Sequence, residues 1–338
     1  MPDVVGEYID RLCTVEMRMA GLPRGTIHRF YEAARAHYGR PLTLLAAERL
    51  QAACREGGTV LIGTGVGSPP WLGQGETDGP LGAVSLALAL AAAYGVVPIF
   101  VSEEPYIPHL VAPARAAGLA VMEYEWARQR TYAAAVQVQS LDPVQGPRQA
   151  EQMLERYQPR AIITVEKTGP NQKDVFHSVL GRGRPTRPTY FDLVVEKARA
   201  QGVLTVGVGD GGNEIGYGVI RDAVRELTPY GATCQCPCGG GIATVVETDV
   251  LVVAAVSNWG AYGVAACLAF LERNPALLHD EETERRMLEA CTAAGGGDGA
   301  LGRPLLMVDG IPLNAQQGIV NLLHALVDNA LFTLDRQF

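Results

Sequence analysis

Short apolar runs that alternate with helical segments limit the possible folds of this chain more than any other feature of its sequence. Several of the runs after residue 58 are apolar throughout, which is typical of parallel strands covered by helices on both faces. The predicted strands are 59–63, 96–101, 119–123, 161–165, 203–208, 250–256 and 305–309. The predicted crossover helices are 108–117, 146–157, 189–201 and 260–273. We therefore predict an α/β fold with a mostly parallel sheet and helices on both faces.

Residues 1–57 have a different pattern. Apolar residues recur at helical spacing in three segments separated by glycine and proline, which predicts an N-terminal helical cap. We expect residues 58–338 to form one continuous α/β catalytic domain. The apolar run 81–101 is divided by Gly95 and Pro98 into a helix and a strand, each too short to span a membrane.

The charge pattern narrows the class of partner. A formal charge of −8 without a block of Lys or Arg excludes a nucleic acid or an anionic membrane as the main partner, and favours a small-molecule substrate. The N-terminus has neither the pattern of a signal peptide nor that of a transit peptide, and seven cysteines do not form a secreted disulfide framework. We expect reduced thiols and a cytoplasmic protein. Assembly into a homo-oligomer stays open.

A glycine-rich turn follows the first predicted strand. The backbone N–H groups of Gly63, Thr64 and Gly65 can hold an anion, because glycine lets a ligand approach the chain closely. The helix does not begin at the third glycine, as a dinucleotide-binding motif requires. Further along, Asp78 precedes Pro80 and can act as the N-cap of the following helix, as a catalytic group, or as both.

Segment 166–171 places an acid beside a base at the end of a strand. Glu166 and Lys167 can present one charge to a ligand, and a desolvated lysine can lose its proton near neutral pH. The alternative is a surface ion pair at the start of a loop. We favour function, because the loop continues into Gly-Pro-Asn171 and not into a solvated helix.

Segment 207–216 is the most specific candidate, with two carboxylates, an amide and five glycines in ten residues. Asp210 and Glu214 can act as general base and acid, or can hold a divalent cation such as Mg or Mn through oxygen ligands. The sequence does not separate these uses. A helix entry capped by Asp210 or Asn213 is the structural alternative.

Two further segments carry candidate groups. Ser257 and Asn258 can donate to a substrate carboxylate, and Trp259 can exclude water, although a strand-to-helix turn with a core tryptophan explains them equally. Asp309 precedes a glycine and has the ordinary pattern of a turn. The glycine-rich stretch 293–304 predicts a mobile loop near the site.

Three cysteines lie close together at 234, 236 and 238. Paired zinc ligands are usually separated by two to four residues, and no further Cys or His lies nearby in the sequence. We therefore favour coincidence or loop packing over metal binding for this cluster.

The order and spacing of these motifs resemble the D-glutamate cyclase family over residues 55–325. The resemblance rests on the segments 77–80, 166–171, 209–216, 257–260 and 308–310. It implies an enzyme, a lyase of the hydro-lyase type, that converts D-glutamate into 5-oxo-D-proline and water. Vertebrate members carry a further N-terminal domain and a mitochondrial presequence, which we do not expect here.

The hypothesis gives Asp210 or Glu214 the amine proton and Glu166 the departing oxygen, while Lys167 binds a substrate carboxylate. The other predicted substrate-binding residues are Gly63, Thr64, Gly65, Thr77, Asp78, Gly79, Asn171, Gly211, Gly212, Asn213, Ser257, Asn258, Trp259 and Asp309. Two alternatives stay open: a phosphate- or nucleotide-binding transferase, and a non-catalytic protein that binds an acidic amino acid.

Overall fold

The computed structural model describes residues 1–18, 21–65 and 67–332. Its sheet has seven parallel strands in the order β3-β4-β2-β1-β5-β6-β7, and the change of direction at β1 defines a doubly wound fold. The strands are β1 (Thr59–Thr64), β2 (Val97–Glu103), β3 (Ala120–Val121), β4 (Ala133–Gln139), β5 (Ala161–Val165), β6 (Leu204–Gly209) and β7 (Val250–Val253). The predicted fold class is confirmed.

Helices cover both faces of the sheet. They are α1 (Pro2–Cys13), α2 (Thr26–Tyr38), α3 (Leu42–Cys54), α4 (Pro80–Tyr94), α5 (Pro108–Ala116), α6 (Tyr124–Ala127), α7 (Gln145–Tyr157), α8 (Phe191–Ala200), α9 (Arg221–Leu227), α10 (Ser257–Leu271), α11 (Glu281–Ala293) and α12 (Leu313–Leu331). Short 3₁₀ turns occupy Glu104–Tyr106, Gly218–Ile220 and Pro275–Leu277.

The two faces have separate apolar cores. Helices α7 and α8 cover one face, where Met153, Leu154 and Phe191 pack on the strands. Helices α3, α4 and α10 cover the other, and α10 is buried along almost its whole length because α4, α3, α12 and α1 surround it. The N-terminal helices are part of this second core: Ile9 and Leu50 belong to the same cluster as Val206 of β6.

Two sheet predictions were wrong. Strand β4 was missed because its Ala- and Gln-rich sequence has helical propensity, which pairing with β2 and β3 overrides. Segment 305–309 does not join the sheet. Instead β8 (Met307–Val308) pairs antiparallel with β9 (Ile311–Pro312), and Asp309 and Gly310 both have positive φ, as a two-residue hairpin turn requires.

The apolar run 81–101 forms α4 and β2 with Gly95 between them, as predicted. Among the residues that the structure describes, no helix is both long and apolar enough to cross a bilayer.

Candidate active site

The predicted loops meet at the carboxyl ends of β1, β5, β6 and β7, where doubly wound proteins bind their ligands. A surface depression of about 950 Å³ lies at the opposite end of the strands, beside Thr59, Val97 and Val203. The volume of this depression alone would therefore place a ligand site away from the grouped acids. We place the candidate site at the carboxyl edge, because the chemically useful side chains converge there.

The loop after β6 holds Glu214 against its own backbone. Oε1 accepts the N–H of Gly211 at 2.7 Å and Oε2 accepts that of Gly212 at 2.8 Å. A Cβ at Gly211 would lie 2.8 Å from Oε1, so glycine is required for this approach. Burial and the charge of Asp210 raise the pKa of Glu214 to about 7. Glu214 is thus a buried carboxyl that titrates near neutral pH.

Asp210 is paired with Arg18, a residue that the sequence analysis missed. Nη1 of Arg18 lies 2.8 Å from Oδ1 of Asp210 and 3.3 Å from Oδ2 of Asp309, and Nη2 donates to the carbonyl of Asp210 at 3.1 Å. Oδ2 of Asp210 is buried without a partner in the described ranges. The guanidinium of Arg18 therefore donates to two carboxylates, while Oδ2 of Asp210 stays available for a ligand.

Asp309 lies at the tip of the β8–β9 hairpin, at a φ of 52°. Burial and Asp210 raise its pKa to about 7, although Arg18 acts in the opposite direction. Asp298, in the glycine-rich loop, fixes the hairpin by accepting the N–H of Gly310 at 2.7 Å. The hairpin thereby delivers Asp309 to the site without being part of the main sheet.

Glu166 is the first residue after β5 and also has a positive φ, 50°. The hydroxyl of Ser257 donates to its Oε2 at 2.5 Å. Burial, together with Asp210 and Glu214, raises the pKa of Glu166 well above its ordinary value. The raised pKa favours the protonated, neutral form of this carboxyl group, which is the form required of a general acid.

Asp78 caps a helix, but not the one expected. Helix α4 begins at Pro80 without a side-chain cap, whereas the carboxylate of Asp78 accepts the N–H groups of Ser257 and Asn258 at 2.9 and 2.8 Å. It therefore stabilises the N-terminus of α10. In return, Oδ1 of Asn258 accepts from Gly79 and its amide nitrogen donates to the carbonyl of Thr77.

These contacts define what several predicted binding groups do. The amide oxygen of Asn258 is occupied by the chain, since it also accepts from Gly82. Thr77 donates its hydroxyl to the carbonyl of Met307. Trp259 is completely buried, and its indole N–H donates to Gln316 at 2.6 Å, so it is a core residue and does not wall the site.

Lys167 points away from the acids. Its ammonium group donates to Oε2 of Glu103 at 2.6 Å and to the carbonyls of Thr64 and Gly65 at 3.2 and 3.1 Å. An ammonium group has three N–H donors, and all three are used within the chain. The structure therefore does not bring Lys167 into the group of acids, because the side chain holds the turn after β1 instead.

The remaining predicted groups divide between the site and its surroundings. The amide nitrogen of Asn213 donates to the carbonyl of His177, and its buried oxygen has no partner in the described part of the chain. Asn171 lies outside the acid group, because its amide binds Gly241, Lys173 and Val175. Gly63 is close-packed, since a Cβ there would lie 2.2 Å from the ring of Phe191.

Glu76 is a further acid that was not predicted. It pairs with Gly297 through the backbone, and a Cβ at Gly299 would lie 2.8 Å from its Oε2 and 2.7 Å from Oδ1 of Asp309. Burial, Asp309 and Asp210 raise its pKa well above the ordinary value. The glycine-rich stretch 293–304 therefore borders the site, as predicted.

Two overlapping groups of acids can hold a cation. Oxygens of Asp78, Asp210 and Asp309 lie within 4.8 Å of one another, as do those of Glu166, Asp210 and Glu214. Hard divalent cations prefer such oxygen ligands. The same acids can instead transfer protons, because mutual proximity and burial raise the pKa values of Glu214 and Asp309 to about 7.

The fold and the grouped acids together define a doubly wound α/β protein with a carboxylate-lined candidate site at the carboxyl edge of its sheet. The model of the family described as D-glutamate cyclase-like, C-terminal, matches residues 30–324, and the chain belongs to this family. A human protein named D-glutamate cyclase, mitochondrial, is 30% identical over 204 residues, which are 58% of this chain. The matched region is 30% of the length of the human protein.

Proposed function

We propose that this protein is a hydro-lyase that converts D-glutamate into 5-oxo-D-proline. The observation that carries the proposal is the group of buried carboxyls with raised pKa values around Asp210. Membership of the D-glutamate cyclase-like family supports the same reaction.

The reaction is a proton transfer combined with ring closure. The α-amino nitrogen bonds to the γ-carboxyl carbon, and one γ-carboxyl oxygen leaves as water. Starting from an ammonium and a carboxylate, the nitrogen loses two protons and the departing oxygen gains two, so the reaction is balanced without an oxidant, a reductant or a nucleotide. A site that both donates and accepts protons is what this chemistry needs.

Glu166 is the proposed proton donor to the departing oxygen. Its raised pKa favours the protonated carboxyl, and the hydroxyl of Ser257 fixes one of its oxygens. A positioned acid of this kind contributes about 10²–10⁴ in rate.

Asp210 or Glu214 is the proposed acceptor of the amine proton. Glu214 has a pKa of about 7, which suits a group that must both take and release a proton near neutral pH. Asp210 presents the oxygen that has no partner among the described residues. The ammonium group of the substrate is attracted by this excess of carboxyl groups before it loses its proton.

Arg18 takes the role that the sequence hypothesis gave to Lys167. Its guanidinium is the cation in direct contact with Asp210 and Asp309, and it retains donors beyond those two contacts. We propose that it binds a substrate carboxylate and so fixes the folded conformation from which the ring closes. Orientation of this kind raises intramolecular rates strongly, with effective molarities of about 10⁵–10⁸ M.

The same acids could alternatively bind a divalent cation. Magnesium or manganese held by Asp78, Asp210 and Asp309 would polarise the γ-carboxyl group of the substrate. This arrangement predicts loss of activity with a chelator, whereas proton transfer alone predicts none.

We propose a cytoplasmic location for this reaction, because all seven cysteines are free thiols. The human relative is named as mitochondrial, so the two proteins would act in different compartments.

An NMR time course with D-glutamate and, separately, L-glutamate tests the proposal. We expect 5-oxo-D-proline from the D isomer without any nucleotide, and parallel samples with EDTA decide the use of a metal. Thermal stabilisation by D-glutamate without product would instead indicate a binding protein. Turnover that needs a nucleotide would indicate a transferase.

A further inference from the structure

Three thiols and one imidazole converge outside the acid site. Cys234, Cys236 and Cys238 lie in the loop between α9 and β7, and His177 comes from the loop between β5 and α8, 59 residues before Cys236. The Sγ atom of Cys234 lies 3.5 Å from that of Cys236 and 3.3 Å from that of Cys238. Nε2 of His177 lies 3.3 and 3.5 Å from the sulfurs of Cys236 and Cys238.

The ring of His177 is oriented as a metal ligand. Nδ1 lies 3.0 Å from the carbonyl oxygen of Val175, and because a carbonyl only accepts, Nδ1 carries the hydrogen. In the neutral ring Nε2 then has a free lone pair, and it faces two sulfurs. Histidine ligands of metals regularly donate their other N–H group to a backbone carbonyl in this way.

Two N–H donors are directed at the sulfur of Cys238. The backbone N–H of Gly240 donates to its sulfur at 3.4 Å, and the amide of Asn171 lies 3.6 Å away. The sulfur of Cys238 therefore acts as an acceptor in the structure, and cysteine binds metal ions through its sulfur.

The four ligand atoms match one coordination geometry. All of them lie within 4.8 Å of one another. In a tetrahedral site with Zn–S bonds of 2.3 Å, neighbouring sulfurs are about 3.8 Å apart. The observed sulfur separations of 3.3 and 3.5 Å are within a few tenths of an ångström of that value.

We propose that Cys234, Cys236, Cys238 and His177 hold one zinc ion. Three soft thiolates and one imidazole form a known type of structural zinc site. Because the protein supplies all four ligands, no position is left for substrate, and the site is structural. Each thiol releases its proton on binding, so one Zn²⁺ replaces up to three protons.

The proposed zinc site joins two loops that border the acid site. Asn213, beside Glu214, donates to the carbonyl of His177 at 2.9 Å. The N–H of Gln235 donates to the carbonyl of Gly181 at 2.8 Å, so a few hydrogen bonds already connect the same two loops. A metal bridge fixes this connection, and its removal is expected to loosen both loops.

The sequence around the three cysteines does not mark this site. Their one-residue separation is unusual for zinc, and the fourth ligand is remote in the sequence. The three closely spaced cysteines were the available signal. The fourth ligand, His177, is brought to them by the fold and not by proximity in the sequence.

Metal analysis of the purified protein, after removal of any affinity tag, tests the proposal independently of turnover. We expect about one zinc per chain by elemental mass spectrometry, and strongly reduced zinc in Cys236→Ser and His177→Ala. Cys54→Ala, at a buried thiol on α3, is the matched control and should retain the zinc. Cobalt substitution should give the intense visible bands of a tetrahedral thiolate site.

Two results would overturn the proposal. One is a wild-type protein that is purified without zinc and whose metal-free form takes up neither zinc nor cobalt. The other is a disulfide between two of the three cysteines in fresh protein, detected by peptide mass spectrometry without reduction. Because both measurements use the wild-type protein, they decide the question even where a variant does not fold.

Discussion

Nη1 of Arg18 lies 2.8 Å from Oδ1 of Asp210, although the two residues are 192 positions apart in the sequence. This contact joins the segment after α1 to the loop after β6. The N-terminal helices therefore do more than cover the sheet, since the segment that follows the first of them supplies a cation to the acid site.

Replacement of Arg18 should destabilise the protein and abolish its activity. In Arg18→Met, Asp210 and Asp309 lose their cation while they remain buried, and loss of one partner of such a group costs about 3–5 kcal/mol. Urea unfolding measures the change in the free energy of unfolding. Arg11→Met is the matched control, because Arg11 is 67% exposed in its pair with Glu7 and should change stability by less than about 1 kcal/mol. Equal stability of the two variants would contradict the assignment.

Lys167 should prove structural and not catalytic. Lys167→Met leaves Glu103 buried without its partner, which is expected to cost about 3–5 kcal/mol. The double variant Lys167→Met, Glu103→Leu removes both charges and should recover most of that stability, because an apolar pair of similar volume often replaces a buried ion pair without cost. It should also form 5-oxo-D-proline. A stable double variant without activity would return Lys167 to the list of catalytic residues.

Stability should fall as the pH rises through 7. The folded pKa of Asp309 is about 7, above its ordinary value of 3.8, so the folded state retains a proton that the unfolded chain releases. This stability is fully present below about pH 4 and is lost as the pH rises through the folded pKa. At about 1.4 kcal/mol per pKa unit, the shift corresponds to at most about 4 kcal/mol.

Asp309→Asn tests the origin of this pH dependence. The amide cannot ionise, so the slope of unfolding free energy against pH between about 5 and 8 should become flatter. Asp142→Asn, at an exposed loop position with a lowered pKa, should leave the slope in that range unchanged. A wild-type protein whose stability rises over this range would contradict the pKa of Asp309.

The sequence predicted the location of the site better than its contacts. Glu166 and Asp210 directly follow apolar runs, Glu214 lies in the same loop as Asp210, and the topology of a parallel sheet brings the ends of such runs together. Arg18 and Glu103 were missed because each reaches its partner across a long stretch of chain, and no local pattern marks such a contact. Lys167 lies at a strand end, where a site residue is expected, but its side chain points to Glu103 and not to the acids of the site.

The contacts of Asp78 likewise depend on a segment that is remote in the sequence. Its position before Pro80 correctly indicated a helix cap, yet the carboxylate caps α10, whose sequence lies about 180 residues away. Strand β4 was missed because its composition is typical of a helix. The β8–β9 hairpin was missed because its turn sequence was interpreted as the end of a strand.

The most direct test of the account is the rate of 5-oxo-D-proline formation by the wild-type protein and by Glu166→Gln. Glutamine resembles the protonated Glu166 in shape and can still accept from Ser257, but it has no acidic proton to give. We predict product from D-glutamate with the wild type, and a rate about 10²–10⁴ lower for the variant with an unfolding free energy within about 1 kcal/mol. Equal rates for the two proteins, or no product from the wild type, would contradict the claim that buried carboxyls at this site catalyse ring closure.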